Sequence, residues 1–270
     1  MIPAPSLSSA QGGAGRIRLG TSGFSYDDWV GAFYPPGLPK REWLAYYARE
    51  FDTVELNVTY YRIPDRRTVV GWTERTPPGF LFAVKAFSGL THERQAPDFA
   101  GFVEAIEPLR QAGKLGCLLA QFPYAFTPTP ANWGYLERLR EGLGDHDVVV
   151  EFRQSGWVQP GTFERMKVLG LGFCCVDEPR LEGLMPPEAQ ATGRVAYVRF
   201  HGRNARKWWE HDQAWERYDY TYPEGELREW LPRLKLLEQQ AEVVLVYANN
   251  HYRSQSVDTL RSLRAMLAEA

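Results

Sequence analysis

Residues 147–153 read Asp147-Val148-Val149-Val150-Glu151-Phe152-Arg153, and residues 195–201 read Val195-Ala196-Tyr197-Val198-Arg199-Phe200-His201. In both, apart from Asp147 at the leading edge, the charge gathers at the C-terminal end, on residues two apart. A strand sends alternate side chains to opposite faces, so Glu151 and Arg153 share one face while Val150 and Phe152 share the other. Arg199 and His201 stand against Val198 and Phe200 in the same way. Glu55 and Asn57 repeat the pattern against Val54, Leu56 and Val58, and Lys85 and Gln121 close two further apolar runs. Strands that bury an apolar face and turn charge the other way at their C-terminal ends are the units of a parallel α/β barrel, whose active site lies at that end.

Working outward, eight strand candidates fall at 17–20, 53–58, 80–85, 115–122, 147–153, 171–177, 195–201 and 243–249. Helical patterns separate them at 39–50, 65–75, 98–112, 131–142, 160–169, 224–240 and 255–269, with a weak signal over 178–194, where Pro179, Pro186 and Pro187 fall. This alternation predicts repeated βα units and a single (β/α)8 TIM-like barrel over 16–270. A doubly wound open sheet is the alternative. The first strand, however, runs into Gly20-Thr21-Ser22-Gly23-Phe24, which lacks the G-x-G-x-x-G spacing of a dinucleotide turn. Two C-terminal-side loops, 21–38 and 201–223, are long and aromatic, suited either to fold over a ligand or to cover the barrel mouth.

Composition narrows the function classes. Apolar residues are 44% of the 270, enough for a large core, and aromatic residues are 14%. The net charge of −2 supplies no global field toward nucleic acid or anionic membrane. Cys117, Cys174 and Cys175 match no zinc spacing and lie in apolar runs, where a thiol packs as a small hydrophobe and suits a reducing compartment. The Ser/Ala/Gly/Pro-rich stretch 1–15 has neither a basic start nor an apolar segment and reads as a disordered tail, not a signal peptide. No apolar run approaches the ~20 residues that span a bilayer, so a cytoplasmic protein without membrane partners is expected.

Several longer blocks carry a resemblance. GTSGFSYDDW, FDTVELNVTYYRIP, GFLFAVKAFSGLTHER, LGCLLAQFP, VVVEFRQSGW, VDEP, VRFHGR and VYANNHYRSQ occur in this order. Together they resemble the DUF72 family of YecE-like proteins of unknown function, over about residues 17–268. The resemblance implies a (β/α)8 barrel and no particular reaction. Ala120 stands where the family pattern implies a bulkier residue, and alternation turns it outward, away from the inferred site.

Placed in order, the inward residues at the strand ends are Glu55, Asn57, Lys85, Gln121, Glu151, Arg153, Asp177, Arg199 and His201, followed by Asn249 or Asn250. Glu55, Glu151 and Asp177 balance Lys85, Arg153 and Arg199, so the set can neutralise itself. Cationic side chains among acids and amides suit a small anionic or sugar-like substrate. In that reading Arg153 and Arg199 clamp an anion, Glu55 or Glu151 acts as general acid or base if burial raises its pKa, and His201 moves protons near neutral pH. Lys85 is an ion-pair partner of Glu55, an anion ligand, or a Schiff-base nucleophile. His92 follows the third strand and can reach the cleft. The catalytic candidates are therefore Glu55, Lys85, Glu151 and His201. The binding candidates are Asn57, Gln121, Arg153, Asp177, Arg199, Asn249 and His92.

No cofactor is expected. A divalent metal is the alternative, held by Glu55, Glu151, Asp177 and His201 in a phosphodiester hydrolase acting on nucleic acid, although three nearby cations oppose it. Arg203, Arg206 and Lys207 beside Trp208 and Trp209 have the basic-aromatic look of single-strand nucleic-acid contacts, weakly so for a single loop. A non-catalytic barrel that binds nucleic acid or a metabolite is the third possibility.

Overall fold

The computed structural model describes residues 16–269; the tail expected over 1–15 lies outside them. Eight parallel strands lie where the apolar runs place them: β1 Ile17–Thr21, β2 Thr53–Leu56, β3 Leu81–Lys85, β4 Leu115–Gln121, β5 Val148–Glu151, β6 Leu171–Asp177, β7 Val195–Phe200 and β8 Val243–Ala248. Their order around the sheet is β1-β8-β7-β6-β5-β4-β3-β2, a nearly closed (β/α)8 barrel. Only the β1–β2 edge lacks a full ladder. There the strands meet through a bridge between Ser22 and Glu55 and a hydrogen bond from Gly23 N to Glu55 O at 2.8 Å. A Cβ on Gly20 would stand 2.1 Å from the Thr53 carbonyl oxygen, so only glycine lets the two strands approach this closely.

The helices between the strands are α1 Trp43–Tyr47, α2 Val58–Tyr61, α3 Arg66–Glu74, α4 Phe99–Gln111, α5 Pro130–Gly142, α6 Pro160–Leu169, α7 Glu224–Arg228, α8 Leu231–Gln240 and α9 Gln255–Glu269. Caps fix their starts: Asp65 accepts from Thr68 N at 2.8 Å and Asp98 from Gly101 N at 2.8 Å. The single helix expected over 224–240 is two, because Pro232 has no N–H to continue the ladder from α7 into α8. Likewise the second strand stops at Leu56. Val58, expected on its apolar face, opens α2 and is exposed. Residues 178–194 form neither helix nor strand.

Outward faces of the strands and inward faces of the helices make the core. Phe152 stacks on Trp157 at 4.0 Å, and Ala120 is buried among these outward residues. Loop 21–38 takes the covering role, since Trp29 and Tyr34 are buried and Tyr34 stacks on Trp43 of α1 at 4.6 Å. The three cysteines are buried and free. Among the described residues, no helix is long and apolar enough to cross a membrane.

Candidate functional site

Inward side chains at the C-terminal strand ends converge on Arg199 of β7. Its Nη2 donates to Glu55 Oε1 at 2.7 Å and its Nη1 to Glu151 Oε2 at 2.6 Å. Tyr197, two residues earlier on the same face, donates its hydroxyl to Glu55 Oε2 at 2.6 Å. Glu151 Oε1 also receives Arg153, whose Nε lies 2.6 Å away as an ion pair without the alignment of a hydrogen bond. His201 closes the chain. Asn249 donates to its Nδ1 at 3.0 Å, which puts the ring proton on Nε2, and Nε2 donates to Glu151 Oε1 at 3.1 Å. Glu55, Glu151, Arg199 and His201 are at most 2% exposed. They form a buried floor in which two carboxylates meet the one guanidinium of Arg199, with Arg153 at its upper edge.

Electrostatics fixes the charge states of Glu151 and His201 in this floor. Burial acts to raise the Glu151 carboxyl, but Arg153, Arg199 and His201 outweigh it and hold the group well below the usual carboxylate range. The raised pKa that an acid–base Glu151 needs is therefore not met. Burial, with Arg153 beside it, pushes His201 down to about 3, so it stays neutral rather than titrating near pH 7. Arg199, expected to clamp a ligand, is already spanned by Glu55 and Glu151.

Above the floor the groups are different. Lys85, Asn57, Arg153, His92 and Tyr60 are partly exposed, and Gln121 lines the edge at 9% exposure. Lys85 does not pair with Glu55, whose oxygens Arg199 and Tyr197 occupy. Its Nζ lies 4.5 Å from the centre of the Tyr60 ring and makes no ion pair or hydrogen bond among the described residues. Burial, with Arg199 adding, pushes its ammonium down to about 7, against the pull of Glu151 and Glu55. His92 stands edge-on to the same ring at 5.1 Å and is pushed down to about 4 by burial and by Lys85. Asn57 immediately precedes α2 without a capping hydrogen bond, its buried Oδ1 unpartnered, and Gln121 donates to Phe122 O at 2.6 Å.

Asp177 is not part of this constellation. It shares a face with Phe173 and Cys175 and turns toward the helices, where Arg203 holds it with two bonds of 2.8 and 2.7 Å. Tyr222 and Trp230 donate to it as well, at 2.8 and 2.7 Å. The alternative metal set therefore does not form: Asp177 faces away, and Arg199 stands between Glu55 and Glu151. Its neighbour Glu178, absent from the expected site, lies within electrostatic reach of Arg153 and Glu151. Oε1 of Glu178 accepts from Met185 N at 2.8 Å, and its buried Oε2 has no partner. Burial, against the pull of Arg153, raises this carboxyl to about 7. Counting by twos from Cys174 through Val176 reaches it.

Loop 201–223 contributes a rim. Trp208 is buried, while Trp209, 53% exposed, meets Tyr124 edge-on at 5.4 Å and Trp215 stacks on Tyr252 at 4.2 Å. Of its basic residues, Arg203 serves Asp177 and Lys207 pairs with Glu216 at 2.7 Å. Asn250 turns from the mouth to Tyr220 O and Thr259 Oγ1, both at 2.9 Å. A broad cavity of about 2130 Å³ opens at the opposite end of the barrel. Some of the charges along it are paired with one another, as in Arg18 with Asp52 at 2.8 Å.

The family model for a protein of unknown function, DUF72, matches residues 18–270. The chain belongs to the DUF72 family. It is 32% identical to the UPF0759 protein YunF of Bacillus subtilis, over 93% of this chain and 94% of that one. With the UPF0759 protein YecE of Escherichia coli it shares 30% identity over 57% of this chain and 55% of that one. The crystal structure of a DUF72 protein from Thermotoga maritima is similar at 39% identity and a TM-score of 0.86, covering 93% of this chain and 99% of that one. A DUF72 protein from Enterococcus faecalis reaches 28% and 0.83, over 93% and 95%.

Proposed function

We propose that this DUF72 barrel is an enzyme that binds a small anionic, polyol-like substrate at its mouth and works on it by acid–base chemistry, as a hydrolase or as an isomerase or lyase. One observation carries the reading. The floor carboxylates Glu55 and Glu151 are already met by Arg199 and Arg153, while Lys85 and the outer edge of Arg153 still reach solvent, so the hydrogen-bond donors offered to a ligand there are cationic. Arg153 keeps both Nη groups free of hydrogen bonds among the described residues, in the fork geometry that fits a carboxylate or phosphate. Glu178, raised to about 7, takes the acid–base role first sought at Glu151. A ligand hydroxyl at its unpartnered Oε2 supplies the missing hydrogen bond. Asn57 Oδ1 offers a second such acceptor. Three free cysteines fit a cytoplasmic location.

Thermal unfolding in increasing inorganic phosphate, and then in sugar phosphates, tests the anion site. Saturable stabilisation is expected in the wild type and is lost in Arg153→Gln. Equal stabilisation of wild type and variant would place the anion elsewhere and remove the support for this reading.

A further inference from the structure

The geometry at the end of β3 points to a more specific chemistry, resting on the anion-binding reading above. We infer that Lys85 is an amine nucleophile that forms an imine with the carbonyl group of an anionic substrate, such as a 2-oxo acid or a phosphorylated hydroxy-carbonyl compound.

Lys114, whose side chain is buried, shows what an inert lysine looks like. Lys114 is 7% exposed, and its three N–H donors meet three acceptors, Thr73 O at 2.7 Å, Thr76 O at 2.6 Å and Thr76 Oγ1 at 2.9 Å. Lys85 has none. Two carboxylates stand nearby, but Arg199 spans both, Tyr197 takes a further oxygen of Glu55, and Arg153 and His201 share the remaining oxygen of Glu151. What remains around Nζ is one aromatic face, that of Tyr60, and the positive charge of two guanidinium groups. The ring face and the Glu151 and Glu55 carboxylates favour the ammonium, whereas burial and the two arginines favour the amine. The second pair prevails, with Lys85 pushed down to about 7. An amine near half-neutral at pH 7, unpartnered and open to the mouth, is what imine formation requires.

The step balances as follows. The Nζ lone pair attacks the carbonyl carbon, forming a C–N bond, and the C–O π pair moves to oxygen, which takes a proton. Nitrogen loses one of its two protons and expels the hydroxyl as water with a second proton from the site, giving a protonated imine. The net change consumes one proton and releases one water. Protons are exchanged with solvent at the open mouth; Glu178, raised to about 7 and within electrostatic reach of Arg153, is a buried acid of the same site. Arg153 holds the substrate anion, which keeps the carbonyl over Lys85.

Glyoxylate is the first probe, because it carries an aldehyde and a carboxylate in one small molecule. The full chain is incubated with glyoxylate, reduced with borohydride, digested and mapped by mass spectrometry. Lys85 is expected to gain a carboxymethyl group at least about tenfold faster than the exposed Lys40 and Lys167, with an apparent pKa near 7. Competing phosphate should slow this labelling. Neutral acetaldehyde should lose most of the preference. Lys85→Arg, which keeps the charge, should abolish the fast site, and the wild-type labelling pattern stands whether or not that variant folds. Labelling of Lys85 no faster than of Lys40 overturns the inference. If phosphate still stabilises the protein in that case, the anion site survives and Lys85 is only a charge within it. Fast labelling that phosphate leaves unaffected keeps the nucleophile and overturns the anion site.

Discussion

Asp177 and Glu178 are neighbours in the chain and opposites in the fold. Asp177 turns out toward α7 and α8 and collects four strong donor contacts, two from Arg203 and one each from Tyr222 and Trp230. Glu178 turns toward the barrel interior, accepts one backbone N–H and leaves an oxygen unpartnered. Both are fully buried, so burial alone does not separate them. What separates them is satisfaction. A carboxylate whose lone pairs are filled by rigid donors is committed to holding the structure, whereas one left partly unfilled can take a proton or a ligand. The same contrast divides Arg199, spanned by two carboxylates, from Arg153, which meets one of them with a single edge.

Substitutions can break this contrast in order of expected cost. Arg199→Met leaves Glu55 and Glu151 buried without their shared cation and should cost about 3–5 kcal/mol in urea unfolding. A cost under about 1 kcal/mol would show that the floor does not depend on it. Asp177→Asn weakens the hold of Arg203 and leaves an amide facing the Tyr222 and Trp230 donors. A loss of about 2–3 kcal/mol in urea unfolding is expected.

Glu178→Gln should act the other way. The folded-state pKa of Glu178 is raised, from 4.5 to about 7, so the folded protein binds the extra proton between those values. The Glu178 contribution to stability therefore falls as pH rises through that window and is fully unfavourable above about 7. The variant should gain about 1–2 kcal/mol over wild type at about pH 8, part of the benefit being lost to the unpaired amide, and should gain little at about pH 4. Stability curves that stay parallel across the range would refute the raised pKa.

Lys85→Met should carry no cost at neutral pH, because it removes a cation that burial disfavours. Its folded-state pKa is lowered, from 10.5 to about 7, so the unfolded chain binds more protons between those values and the Lys85 contribution to stability rises with pH there. Methionine should stabilise by about 3–5 kcal/mol at about pH 6, and the advantage should vanish near pH 10.5. A loss at acid pH would instead reveal an ion pair at Lys85.

Much of this site could be read in one dimension because β2, β5 and β7 alternate cleanly up to their ends. There a count by twos brings Glu55, Glu151, Arg153, Arg199 and His201 to one face. In β6 that signal fails. Residues 171–176, Leu-Gly-Phe-Cys-Cys-Val, are buried on both faces, so no polar alternation marks which way the following acids point. Trp230, which claims Asp177, lies 53 residues further on. The pairing of Lys85 fails for a related reason. Glu55 sits on the adjacent strand, but Arg199 reaches it across the barrel, and a linear sequence does not rank competing partners. Fold class survives such errors, since it depends on the repeat of apolar runs and helices, not on any one contact.

The incomplete β1–β2 ladder gives the barrel a clasp. Seven of the strand pairs are zipped by ladders, and the eighth is fastened near the mouth, at Ser22, Gly23 and Glu55. Glu55 is both half of that fastening and an arm of the floor under Arg199, so the ring cannot spring open there without pulling on the charged network. Breathing of the ring and readiness of the site become a single motion, and the exchange rate of the Gly23 amide, which donates to Glu55 O, is its gauge. A ligand that tightens the floor should slow that one proton before it slows any other.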